Sequence, residues 1–332
     1  MLHFIAHYFL FVLEALTIVA VILLGFAGLL FLASQGKEKL RKGHLKVTPL
    51  HKKYSELKQA VAENILDKKA YKQLCKSIKQ ADKAHKAEDQ PRVFVLNFKG
   101  DIQASQVESL REEITAILAI ATPNDKVLVR LESPGGMIHG YGLAASQLAR
   151  IKQHKLHLTI AVDKVAASGG YMMACIADTI ISAPFAIIGS IGAVMQLPNF
   201  HRLLENHGIE FEQLTAGEYK RTLSLFGENT EKGRQKAQSE LEQAHGLFKQ
   251  FISMHRPQVA IDQVATGEHW FGIQALDKKL IDELQTSDEY LLQILNTPTQ
   301  VYELNFVCKK PLLGKFAQAA KNAYSIMSNR SL

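Results

Sequence analysis

Apolar, strand-like runs alternate with helical segments and glycine-rich turns through the middle of this 332-residue chain. Strand candidates lie at residues 93–98, 126–133 and 156–163, and helix candidates lie at residues 105–121 and 137–153. The strand runs are almost continuously apolar, as in parallel strands that helices cover on both faces. The pattern therefore predicts an α/β domain built on a parallel sheet.

Two turns between a strand and a helix contain glycine pairs, at residues 132–136 and 166–170. Ligands collect at the carboxyl ends of parallel strands, and the N–H groups that open a helix attract negative charge. Neither turn completes a phosphate-binding motif. Ser168 suits acyl transfer instead, since its hydroxyl would attack a carbonyl while loop N–H groups stabilise the oxyanion. Close packing of a helix on the sheet is the alternative explanation for these small residues.

A serine nucleophile needs a base, and no histidine of the chain stands in a recognisable triad motif. A lysine can serve if burial lowers its pKa enough to leave it neutral near pH 7. Lys220, which lies among hydroxyl-bearing and apolar residues, is the candidate base. Periodicity alone does not single it out.

The amino-terminal segment predicts a membrane anchor. Residues 15–33 are 19 positions without a charge, and a helix of that length spans roughly 28 Å, close to the hydrocarbon thickness of a bilayer. A cleaved signal peptide would begin with basic residues, and none precedes this run. The basic residues between Lys37 and Lys46 favour the cytoplasmic face for the body that follows, and they would attract anionic lipid.

The formal charge of +7 is unevenly distributed. The lysine-rich stretch at residues 37–91 carries +8 and has helical periodicity, so we interpret it as a solvated helical spacer. Residues 308–332 carry +5, whereas residues 92–307 carry −5, which argues against a nucleic-acid-binding core. Residues 309–327 could form a helix on an anionic membrane surface, a docking helix or a loose tail.

Composition and spacing exclude several classes of protein and site. The length permits a large core, so neither a small disulfide-stapled scaffold nor a disordered chain is expected. The three cysteines are far apart, which predicts neither a disulfide framework nor a zinc site, and we expect no metal and no cofactor. Polar and helix-breaking residues interrupt the uncharged residues 180–198, so we expect buried strands and turns there rather than a second membrane span.

Long stretches of the sequence resemble the signal peptide peptidase A family of membrane-associated serine peptidases, close to its SohB branch. The matching stretches are LESPGGMIHGYGLAASQLAR, TIAVDKVAASGGYMMAC, APFAIIGSIGAV, TAGEYKRTLSLFGENTEKGR and VATGEHWFGIQAL. They lie within residues 92–290, and the anchor with its basic linker extends the similarity over about 290 residues. The resemblance implies the spiral α/β fold shared with Clp proteases and crotonases, preceded by one transmembrane helix and a basic helical linker.

The resemblance also assigns roles to individual residues. It implies a Ser-Lys dyad with Ser168 as nucleophile and Lys220 as general base. Gly136 and Gly169 match the backbone donors of the oxyanion hole, and Ser190 matches a hydroxyl that orients the lysine. Clp proteases place a catalytic histidine about 25 residues after their serine, and the corresponding stretch here contains none, which favours the lysine.

Taken together, these patterns divide the chain into four parts. We interpret residues 1–36 as the membrane anchor, residues 37–91 as the basic helical linker, residues 92–300 as the serine peptidase domain and residues 301–332 as a basic tail. A helix predicted at residues 230–252 carries an apolar stripe that could pack on the core or on a neighbouring copy.

The expected function is that of a membrane-anchored serine endopeptidase that hydrolyses signal peptides or membrane-protein fragments. The resemblance implies a ring-like homo-oligomer and a single-pass location in a bacterial inner membrane. Better-known relatives work on the outer face of that membrane, whereas the basic cluster favours the inner face, so the side is left open. Two alternatives stay open as well: a catalytically weak, membrane-tethered scaffold of the same fold, and an acyl-CoA enzyme of the crotonase type.

Overall fold

The computed structural model describes residues 7, 11–22, 25, 43–84 and 90–308, without the side chains of residues 81–84 and 308. The chain divides into two compact units, one formed by residues 45–307 and the other by the two ends, residues 1–44 and 308–332. In the unit of the two ends, residues 11–22 are helical. Among the residues that the structure describes, no helix combines the length and apolar character needed to cross a bilayer.

Three predictions made from the sequence concern residues that the structure describes incompletely. The predicted anchor at residues 15–33 lies partly outside the described residues, as does the basic cluster that begins at Lys37. The possible helix at residues 309–327 lies wholly outside them.

Strands and helices alternate along most of the described chain. In chain order they are β1 (Gly43–Pro49), α1 (Leu50–Ile65), α2 (Lys68–Ala84), β2 (Arg92–Lys99), α3 (Val107–Leu118), β3 (Lys126–Glu132), α4 (Ile138–Gln153), β4 (His157–Val162), β5 (Val165–Ala167), α5 (Gly169–Ala174), β6 (Thr179–Ser182), β7 (Ile187–Gly189), α6 (His201–Asn206), α7 (Glu231–His255), α8 (Ile261–Val264), β8 (His269–Phe271), α9 (Gly272–Asp277), β9 (Glu283–Leu284), α10 (Ser287–Leu295) and β10 (Gln300–Cys308).

The larger sheet has seven strands in the order β1-β10-β2-β3-β4-β6-β9. Every pair from β10 to β9 in that order is parallel. A second sheet has three strands in the order β5-β7-β8, of which β5 and β7 are parallel and β8 is antiparallel. This mixed α/β architecture with a mostly parallel sheet fits the Clp/crotonase-like fold expected from the sequence.

Both faces of the larger sheet are covered by other elements. Successive residues of a strand point to opposite faces, so the residues of β2 show what covers each face. In β2, Phe94 and Leu96 belong to the larger apolar cluster, which includes side chains of α3, α4 and α5. Val93 and Val95 belong to a smaller cluster with Leu50 of α1 and with residues of α10. Covered faces explain why the strand runs are almost continuously apolar, and they confirm the prediction of a buried parallel sheet.

The predicted elements of the central domain are confirmed, with boundaries shifted by a few residues. Residues 180–198 contain the end of β6, all of β7 and irregular chain, so the strands and turns expected there are present. The linker is helical in α1 and α2, as its periodicity indicates. Two strands lie where the sequence analysis assigned linker and tail: β1 at residues 43–49 and β10 from residue 300 onward. Both strands pair with residues that are distant in the sequence: β10 pairs with β2, and β1 lies next to β10 in the sheet.

Candidate active site

Ser168 and Ser190 follow the ends of two paired strands. In the register of β5 and β7, Ala167 lies opposite Gly189, and the N–H of Ser168 donates to the Gly189 carbonyl at 2.8 Å. Both serines have left-handed backbones, with φ values of 52° and 51°. A non-glycine residue rarely adopts that conformation, and such strained positions cluster at functional sites. The structure thus brings these two predicted site residues side by side.

The two glycine turns are in direct contact. The N–H of Ser133 donates to Val165 O at 2.8 Å, and the N–H of Ala167 donates to Ser133 O at 3.0 Å. Gly135 has φ 93°, and a Cβ atom there would lie 2.7 Å from Ala167 O. Only glycine allows this conformation and this close approach together. The turn before α4 is therefore held against the turn that carries Ser168.

The predicted oxyanion donors lie beside the serine. Gly136, Ser168 and Gly169 line one narrow cavity of about 20 Å³. In the part of the chain that the structure describes, neither the Gly136 N–H nor the Gly169 N–H donates a hydrogen bond. Two backbone donors without an acceptor, next to a hydroxyl at the start of a helix, are the groups that a tetrahedral oxyanion requires.

The other walls of this cavity are small or apolar. Ile138 and Met172 contribute from α4 and α5, and Ala244 and Phe248 contribute from α7. The apolar stripe of α7 was predicted to pack on the core or on a neighbouring copy, and buried Phe248 does join the larger apolar cluster. The sequence did not predict that Phe248 also lines the cavity beside Ser168. Helical periodicity identifies a buried face, but it does not identify the residues that this face contacts.

Lys220 does not line the narrow cavity that contains Ser168. It is exposed, and it lines a separate groove of about 650 Å³ with apolar residues that include Phe211 and Phe226. The Ser-Lys dyad therefore stays a prediction.

The segment around Lys220 has little regular structure and no buried residue. Its only regular element is α6, and no residue between 192 and 230 is buried. The ring of Phe226 lies 6.1 Å from that of Phe200 and 5.8 Å from that of Phe211, centroid to centroid. Apolar side chains project into solvent, including Leu214 with 95% of its surface exposed. A single copy leaves this apolar surface uncovered.

Comparison with known proteins identifies the family. The model of the peptidase family S49 N-terminal region matches residues 3–148, and the model of peptidase family S49 matches residues 150–297. "Probable protease SohB" of Haemophilus influenzae is 48% identical over 98% of this chain and 95% of its own length.

Two further relatives extend the comparison. "Probable protease SohB" of Buchnera aphidicola subsp. Schlechtendalia chinensis is 45% identical over 87% of this chain and 99% of its own length. "Protease 4" of Haemophilus influenzae is 25% identical over 60% of this chain and 33% of its own length. The extent of the first two matches and both family models lead to one conclusion: the chain belongs to peptidase family S49, as a SohB-like peptidase of the signal peptide peptidase A family.

Proposed function

We propose that the chain is a membrane-anchored serine endopeptidase in which Ser168 is the nucleophile and Lys220 the general base. One observation carries the proposal: the Ser168 hydroxyl stands at a strained turn beside the unpaired N–H groups of Gly136 and Gly169. These are the parts needed for acyl transfer through an oxyanion intermediate.

The reaction proceeds in two halves. Ser168 Oγ forms a bond to the substrate carbonyl carbon and gives its proton to neutral Lys220 Nζ, while the N–H groups of Gly136 and Gly169 hold the oxyanion. The C–N bond then breaks, and the lysine ammonium returns the proton to the departing amine. In the second half, water gives a proton to the lysine and attacks the acyl-enzyme. Collapse releases the carboxylic acid product and returns the proton to Ser168.

Catalysis requires Lys220 to reach Ser168. We expect the approach to occur in a ring-like homo-oligomer, in which Lys220 of a second copy comes close to Ser168 Oγ. The support is the exposed apolar surface between residues 192 and 230, because soluble monomers rarely leave a large contiguous patch uncovered. Ser190, beside Ser168, would then accept a hydrogen bond from the incoming lysine and orient it.

The cavity walls suggest the substrate class. Ile138, Met172 and Phe248 make the space beside Ser168 apolar and narrow, which suits a small apolar side chain of an extended peptide. Residual signal peptides and membrane-protein fragments have this character. The uncharged run at residues 15–33 supports single-pass attachment to a bacterial inner membrane, where such peptides collect. Mapping the accessibility of tags would establish the side.

The proposal is tested by hydrolysis of an internally quenched apolar peptide by the full-length chain in detergent. Ser168→Ala and Lys220→Ala should each lower kcat by roughly 10³-fold or more. Lys79→Ala removes an exposed lysine of α2 and should retain wild-type turnover. If both dyad variants cleave as fast as the unmodified protein, the proposed mechanism is wrong.

Mixing the two inactive variants tests the shared site. If one copy supplies the serine and another the lysine, combining Ser168→Ala subunits with Lys220→Ala subunits should restore part of the activity. No restoration after demonstrated subunit exchange would contradict the shared site, and it would leave the single-variant result unaffected.

One observation favours a second candidate, the catalytically weak membrane-tethered scaffold. Ser168 and Lys220 are apart in a single chain, as they would be in a protein that kept the fold without turnover. A correctly assembled wild-type protein that hydrolyses no peptide would support this candidate. The acyl-CoA alternative loses its basis, because the chain belongs to a peptidase family.

A further inference from the structure

A fully buried tyrosine lies beneath both glycine turns. Tyr141 is on α4, one turn after Gly136, and none of its surface is exposed. Its Oη lies 2.6 Å from Ser133 Oγ and 2.8 Å from the carbonyl oxygen of Asp101. Ser133 Oγ in turn lies 3.1 Å from the backbone nitrogen of Gly135. Three hydrogen bonds thus connect the turn before α4 to the chain that follows β2.

The donors and acceptors in this series run in one direction. The Asp101 carbonyl can only accept, so the Tyr141 hydroxyl donates to it. The phenol oxygen then accepts the proton of Ser133, and the oxygen of Ser133 accepts the N–H of Gly135. Each hydroxyl uses its single proton once, which leaves the buried groups satisfied. Burial raises the pKa of Tyr141, which keeps the phenol protonated for this bond.

The same tyrosine also supports the second turn. A Cβ atom built on Gly169 would lie 2.4 Å from Cγ of Tyr141, so the ring packs directly against the Gly169 backbone. Gly169 provides one of the two unpaired N–H groups, and Gly136, which follows Gly135, provides the other. One side chain is therefore connected to both donors, by its hydroxyl to the first turn and by its ring to the second.

We propose that Tyr141 and Ser133 are positioning residues, which set the distance between the two oxyanion donors and Ser168 Oγ. The inference rests on the proposed serine peptidase mechanism. Neither residue touches the reacting atoms. Loss of either hydroxyl would leave the turn containing Gly135 and Gly136 less well held, and a displacement of well under 1 Å weakens a hydrogen bond to an oxyanion.

The test compares two buried tyrosines in the full-length protein. Tyr171 on α5 is also fully buried, and its hydroxyl donates to the carbonyl oxygen of Leu280 at 2.9 Å, away from the turns. Tyr141→Phe and Tyr171→Phe each remove one hydroxyl-to-carbonyl bond from a buried site, and Tyr141→Phe also removes the hydrogen bond with Ser133. We expect both to lower the unfolding temperature, whereas only Tyr141→Phe should lower kcat, by roughly 10- to 100-fold, with KM nearly unchanged.

Inhibitor binding provides a readout that loss of stability does not affect. A peptide boronic acid, which forms a tetrahedral adduct with a serine hydroxyl, should bind Tyr141→Phe more weakly by the same factor as the loss in kcat. A cleavage-product peptide should bind the variant and the unmodified protein equally. Ser133→Ala should reproduce both results, and the double variant should lose no more than the worse single variant, because the two hydroxyls act as one unit.

The outcomes separate this inference from the proposed function. Wild-type kcat in Tyr141→Phe and Ser133→Ala, with Ser168→Ala inactive, would overturn the positioning role alone. An equal loss of kcat in Tyr171→Phe would also overturn the positioning role. The loss of kcat would then result from lower stability and not from displaced oxyanion donors. Wild-type turnover by Ser168→Ala would overturn the proposed function itself.

Discussion

Ser168 and Lys220 lie in two regions that differ in how many of their residues are buried. In the glycine-loop centre, defined as residues 133–136 and 165–170, six of the ten residues are buried. A β-bridge between Ser133 and Ala166 and the contacts with Tyr141 join the two turns. In the lysine segment, defined as residues 192–230, no residue is buried. A single chain therefore buries much of the surroundings of Ser168, the proposed nucleophile, and leaves those of Lys220, the proposed base, exposed.

The difference in burial indicates that different interactions stabilise the conformations of the two regions. Close packing determines the glycine-loop centre, since small shifts there bring backbone atoms into contact. The lysine segment has few buried contacts from which a single conformation could gain stability, which is characteristic of regions that move or that a partner covers.

The largest expected effect comes from adding a methyl group to the glycine-loop centre. In Gly169→Ala the new Cβ would lie 2.4 Å from Cγ of Tyr141, whose side chain is fully buried. We expect peptide hydrolysis to be lost and the free energy of unfolding to fall by about 1–3 kcal/mol or more. Turnover assays and denaturant unfolding provide the measurements.

Gly142→Ala is the matched control for that substitution. A Cβ at Gly142 meets nothing within 4 Å, and the residue lies inside α4, where alanine is preferred over glycine. The control should retain turnover and stability. If Gly169→Ala were as active as Gly142→Ala, the tight packing attributed to the glycine-loop centre would be wrong.

A smaller expected effect concerns the rate at which trypsin cleaves this protein within the lysine segment. Trypsin should cut after Lys220 or Arg221, both exposed, at least roughly tenfold faster than after Arg150 in α4, because local opening costs less than unfolding of the core. The assembled protein should resist the same cut. Mass spectrometry of the early fragments provides the measurement, and equal rates at both places would remove the contrast between the two regions.

The smallest effect concerns Glu113, whose titration changes stability with pH. Glu113 on α3 is buried and accepts a hydrogen bond from the backbone N–H of Phe306 at 2.7 Å. Burial raises its pKa to about 7. The folded protein thus keeps this proton at pH values where the unfolded chain has lost it. The stabilisation is complete below the ordinary pKa of about 4.5 and is lost as the pH rises towards 7.

Glu113→Gln keeps the acceptor and removes the titration. The free energy of unfolding of this variant should depend less steeply on pH between about 4.5 and 7, while the pH profile of kcat stays unchanged. Glu112→Gln, at an exposed neighbouring position, should retain the original slope. A wild-type slope in Glu113→Gln would show that another group is responsible.

Local patterns in the sequence predicted much of the fold and several residues of the candidate site. The apolar runs that became β2, β3 and β4 and the glycine turns after them follow from periodicity and backbone preference. Ser168 stood out because a hydroxyl between glycine-rich turns has a recognisable chemistry. Strands β1 and β10 were missed, because pairing with distant residues, rather than a strong local pattern, makes these segments strands.

By itself, the sequence predicted the alternating strands and helices from β2 to β4, the two glycine turns, and Ser168 and Lys220 as candidates for the chemistry. Only the tertiary structure decided which of these groups meet. It placed Ser190 beside Ser168, Phe248 in the cavity wall and Tyr141 under both turns, and it left Lys220 exposed. The physical reason is that periodicity and turn chemistry are local, whereas contacts between distant residues depend on how whole elements pack.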